Sequence, residues 1–204
     1  PIGEGSNRVH RIVVSMVPYI ERMREKFLKD AESKGVAIGT RKITTPSLQH
    51  DACGDADTTP GVFQDTASVH LGTQLYAERC GMPAELQATS AMTRRVTKWM
   101  KLDDQDLIRF NRYLANWGDD VLTFEVAERD FHEDTWELRI FTDTDFGGDV
   151  RDRRSTIGGV IMAIGTHGTR CLLTETSAVM KSTTVATGEA EIGGAFKNGK
   201  QGLI

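Results

Sequence analysis

The hydrophobic pattern of this 204-residue chain switches once, near Gly118. Before that point apolar residues recur every three to four positions. After it they fall in short runs rich in β-branched and aromatic residues. A helical period cannot settle as a strand, nor a strand period as a helix, so the switch predicts a helical part followed by a sheet part. The fold class expected is α+β, with regions 1–118 and 119–204.

In the first region, residues 9–17 are rich in β-branched side chains and read as a strand. Pro18 then opens a helix at a first-turn position, where its missing N–H costs little. Ile20, Met23, Phe27 and Leu28 give that helix an apolar face, and Gly35 marks its end. Residues 42–65 hold Pro46, Gly54, Pro60 and Gly61 and read as a long loop or linker. Helices are expected over about 66–80, 84–101 and 104–116, with Asp103 as N-cap candidate of the third. Trp99 and Trp117 are expected in the core. In the second region, residues 121–127, 135–142, 156–164 and 169–176 read as strands. Residues 188–201 read as a helix, although glycines at 193, 194 and 199 weaken its propensity.

Hydrophobic residues at 39% and charged residues at 26% place the chain among folded globular proteins rather than disordered ones. The longest N-terminal apolar run, Ile12 to Val17, is too short for a membrane span. Cys53, Cys80 and Cys171 form neither a disulfide framework nor a zinc spacing, so a reducing compartment, cytoplasmic or nuclear, is expected. His70, His132 and His167 also lack metal spacing and are expected to be surface or satisfied histidines. Pro1 stands where an initiator Met would, which reads as a processed or partial chain.

A net charge of −4 argues against a dedicated nucleic-acid binder. The distribution is more informative. Residues 119–152 hold twelve Asp/Glu against three Arg, a net of −9, whereas residues 1–50 hold nine Lys/Arg against five Asp/Glu. An acidic concentration is either a solvated face or a place where cations offset carboxylate repulsion. Arg94, Arg95, Lys98 and Lys101, interleaved with Trp99, would form a basic face on the second of the three helices. Such a face either tracks a nucleic-acid backbone or is the wet side of an amphipathic helix. Arg153 and Arg154 carry the same pair of readings at the start of a hairpin.

Three segments fall in order within the sheet region: TDTDFGGD at 142–149, RRSTIGG at 153–159 and VATGEAE at 185–191. A strand ending in carboxylates, a hairpin and a helix-borne Glu is a specific arrangement. In order and spacing it resembles the ribonuclease H domain of copia-type retrotransposon polyproteins, with its "SDADWAGD … RKSTSGG … VALSSGEAE". The similarity covers about residues 136–203. Upstream, YIERMREKF at 19–27, ASVHLGTQLYAERCGMP at 67–83 and DLIRFNRYLANWG at 106–118 are loosely similar to the family's segments after the polymerase palm. The resemblance implies a reverse-transcriptase thumb or connection-like region at 1–118. It implies a truncated ribonuclease H-like mixed sheet with one helix at 119–204.

The family cleaves RNA in RNA–DNA hybrids by two-metal hydrolysis, with hard carboxylate oxygens holding Mg²⁺. By resemblance, Asp143 and Glu191 are the catalytic metal ligands. Asp145, two residues from Asp143 and on the same strand face, is an outer ligand candidate. The family's third Asp and fourth carboxylate lie beyond Ile204, so this chain alone is expected to be inactive. The partners implied are an RNA–DNA hybrid and the rest of a polyprotein, with no membrane. A second class of reading remains: a non-catalytic relic or a domesticated nucleic-acid-binding module.

Overall fold

The computed structural model describes residues 8–47, 59–116, 120–147, 154–180 and 186–202. The chain divides into two compact units. Ser15–Val121 form one, and Pro1–Val14 together with Leu122–Ile204 form the other. The class is α+β, as the change of period requires.

The helical unit begins with α1 (Val17–Ser33), which carries Pro18 in its first turn. Ile20, Met23, Phe27 and Ala31 recur at helical spacing and are all buried. They pack with Phe63, Ala67 and Leu71, the last two from α2 (Ala67–Gly81), and with Leu107, Phe110 and Leu114 of α4 (Lys101–Leu114). Each large side chain so buried contributes about 2 kcal/mol from removal of apolar area from water.

The helix expected over 84–101 is not continuous. A 3-10 turn, Pro83–Glu85, leads into α3 (Leu86–Thr93), and a second, Val96–Lys98, precedes α4. The reason is tertiary. Trp99 is only 1% exposed and its indole N–H donates to Asp104 at 2.7 Å, which needs an extended backbone at that point. Arg95 turns inward to pair with Asp103 and, at 2.7 Å, with Asp106. Asp103 is not the N-cap itself. It sits three residues after Met100 and accepts that residue's backbone N–H at 2.8 Å. Asp104 also accepts the N–H groups of Val62 and Phe63, fastening the end of the long loop against α4. A side chain at Gly61 would collide with Trp99 and Asp104, so only glycine passes there.

The second unit is a five-stranded sheet of order β1-β2-β5-β4-β3. Its strands are β1 (Val9–Val14), β2 (Leu122–Ala127), β3 (Trp136–Asp145), β4 (Thr156–Gly165) and β5 (Arg170–Val179). Every pairing is antiparallel, where a mixed sheet was expected. β1 pairs along its whole length with β2, from Val9 opposite Ala127 to Val14 opposite Leu122, with Arg11 and Glu125 forming a cross-strand ion pair. A short helix, α5 (Glu128–His132), links β2 to β3, and α6 (Thr187–Gly202) packs on β3 and β4.

Candidate functional site

The three motifs lie on β3 and its turn, at the entry to β4, and on α6. β3 and β4 pair residue for residue, so Thr142 faces Gly159, Asp143 faces Gly158 and Thr144 faces Ile157. The hairpin is closed where the Gly147 N–H donates to Ser155 Oγ at 3.2 Å. Gly147 has φ +61°, a left-handed turn conformation that glycine adopts without a Cβ clash.

α6 sits against the face of β3 that carries Thr142 and Thr144. Thr144 Oγ1 donates to the Ala190 carbonyl at 3.4 Å. Asn198 Nδ2 donates to Thr142 Oγ1 at 2.9 Å and to the Gly158 carbonyl at 3.0 Å. Gly194 makes this approach possible, since a Cβ there would stand 2.6 Å from Thr144 Oγ1. Gly159 leaves the space that the Asn198 amide fills. The glycines that weaken α6 as an isolated helix are therefore what let it lie close on the sheet.

This contact fixes where the acidic residues point. Successive strand side chains alternate between faces. With Thr142 and Thr144 under α6, Asp143 and Asp145 share the opposite face with Phe141, and both are exposed. Glu191 is half-buried on α6, next to Ala190, and Glu189 is exposed. The structure thus brings Asp143 and Asp145 together on one face of β3, while Glu191 stands on α6, which packs against the other. Among the described residues no three His, Cys, Asp or Glu side chains are placed to share a metal ion. The oxygens of Asp143, Asp145 and Glu191 are of the hard type that Mg²⁺ takes.

The basic candidates also separate. Arg95 is committed to Asp103 and Asp106, and Asp103 is fully buried. Arg94 and Lys98 are exposed, but Arg94 is the C-cap of α3 and Lys98 ends the following 3-10 turn, so they do not share one continuous helical face. Arg154 is exposed, and Arg153 lies outside the described residues. His70 is a satisfied core histidine, 3% exposed, with its Nε2 2.8 Å from Asp30 Oδ2.

Two polar centres escaped the sequence reading. Asp130, on α5, is fully buried and accepts from the N–H of His167, the N–H of Thr169 and the Thr135 hydroxyl at 2.9–3.0 Å. Burial pushes its carboxyl up, but hydrogen bonds from Thr169, His167 and Thr135 outweigh that and hold it at about 2. Gly165 lies directly against this carboxylate. In the helical unit, Glu78 is 1% exposed and pushed up to about 8 by burial, which the hydrogen bond from Thr89 only partly offsets. Burial likewise raises Glu85, which accepts from the Tyr113 hydroxyl at 2.8 Å. A five-residue helix and an isolated Glu carry no periodic signal that would mark them.

No protein-family model matches the chain, and no curated protein or solved structure matches it at a significant level. Among the described residues no helix is long and apolar enough to cross a membrane.

Proposed function

We propose that this chain is part of a copia-type retrotransposon polyprotein. Its helical unit would derive from the region after the reverse-transcriptase palm, and its sheet unit from a ribonuclease H domain that acts on RNA–DNA hybrids. The supporting observation is the order of the three motifs along the fold. TDTD closes β3, RRSTIGG leads into β4, and GEAE opens α6. On this reading the 204-residue chain has no nuclease turnover by itself. Asp143 and Glu191 are the two carried-over ligands, and two carboxylates are too few for the two-Mg²⁺ clamp that in-line hydrolysis uses.

The non-catalytic alternative gains little from the basic candidates, because Arg95 is occupied by carboxylates. Reading the transcript on both sides of the segment tests the assignment. A frame that encodes a "YVDD" polymerase motif upstream and an Asp-terminated strand downstream is expected. A flanking frame that encodes neither overturns the assignment.

A further inference from the structure

The helical unit contains a cavity of about 290 Å³ that none of the motifs uses. Arg24 of α1, Arg41 of the following segment and Arg112 of α4 all line it, with Phe27, Ile38 and Asn111 among the remaining wall. Among the described residues no acidic side chain lines it. None of the three guanidinium groups has a carboxylate within ion-pair distance among the described residues.

Their known bonds go to backbone carbonyls. Arg24 Nε donates to Asn111 at 3.2 Å and an Arg112 terminal nitrogen to Arg41 at 2.6 Å. Among the described residues Arg112 Nε is buried with no acceptor, and the side-chain oxygen of Asn111, a residue 3% exposed, is buried with no donor. Buried polar groups in folded proteins are nearly always partnered, by protein, water or ligand, so a donor and an acceptor left over on two residues that line one cavity give it a polar wall. Burial also pulls the Arg24 guanidinium below its ordinary value, with the charge of Glu21 acting against that. Like charges gathered at one cavity repel one another, and an anion among them relieves that.

We propose that this cavity binds a small phosphomonoester. The arginine forks match phosphate oxygens in bidentate geometry, and a dianion offsets three cations better than a carboxylate does. Phe27 and Ile38 accept an apolar body behind the phosphate, and Asn111 accepts a hydroxyl or N–H from the ligand. The three arginines come from distant parts of the chain, and α4 supplies both Asn111 and Arg112. The site is independent of the polyprotein assignment.

Calorimetric titration of the full 204-residue chain with phenyl phosphate, inorganic phosphate and benzoate tests it. Phenyl phosphate is expected to bind saturably, with inorganic phosphate weaker and benzoate weaker by about tenfold. Arg41→Gln, on an exposed residue, is expected to weaken phenyl phosphate by about tenfold or more. Arg24→Lys, which keeps the charge but loses the fork, is expected to weaken it as well, while Lys29→Gln leaves it unchanged. Thermal unfolding of each variant confirms that it folds. Absence of saturable binding overturns the proposal, as does binding unaffected by both arginine substitutions. Benzoate binding as tightly as phenyl phosphate overturns the phosphoryl assignment. A short oligonucleotide that needs Arg41 to bind, when phenyl phosphate does not bind at all, overturns the small-molecule one.

Discussion

Asp130 joins α5 to the hairpin between β4 and β5 through the N–H groups of His167 and Thr169, and to the start of β3 through the Thr135 hydroxyl. Its truncation strands two backbone N–H groups and a hydroxyl in the interior. Asp130→Ala is expected to destabilise the sheet unit by about 2–3 kcal/mol, measured by denaturant unfolding. Because folding lowers its pKa, its contribution is present above the unfolded value of 3.8 and is lost as pH falls through about 2. Glu78 has the opposite sign. Folding raises it from 4.5 to about 8, so its contribution is full below 4.5 and is lost as pH rises towards 8. The chain is therefore expected to lose stability between pH 5 and pH 8, with a smaller loss in Glu78→Gln. Equal slopes for the two proteins in thermal unfolding would contradict the burial of that carboxyl. Neither residue stands out in sequence, since a buried Glu and a solvated Glu are the same letter.

At the scale of elements, periodicity revealed most of the helices and strands but not where tertiary contacts cut them. α1 was legible because Ile20, Met23 and Phe27 sit at helical spacing and nothing competes with that face. The break after Thr93 was not, because it depends on Trp99 reaching Asp104 and Arg95 reaching Asp103 and Asp106. α6 was doubtful in sequence, since each glycine costs a helix about 1 kcal/mol, and the sheet contact that offsets this is non-local. Gly194→Val is expected to push α6 off β3 and cost about 1–3 kcal/mol through overpacking against Thr144. Loss of helical circular dichroism at lower denaturant than the wild type is the readout, and an unchanged midpoint would contradict the close approach. Strand alternation likewise told which residues of β3 share a face with Asp143. It could not tell which face α6 would cover, because that contact is non-local.

Across the whole molecule, the proposed origin is a hybrid-cleaving enzyme, and the two acidic residues that end β3 share the face opposite α6. β1 comes from before the helical unit and pairs with β2 from after it, so the sheet unit is built across the linear order of the chain. The central claim of the proposed reading is that this chain alone has no nuclease turnover. Incubation of the purified 204-residue chain with an RNA–DNA hybrid and Mg²⁺ tests this most directly. The expected result is no cleavage above that of an Asp143→Asn control. Sustained Mg²⁺-dependent cutting by the unmodified chain, abolished by Asp143→Asn, would contradict it.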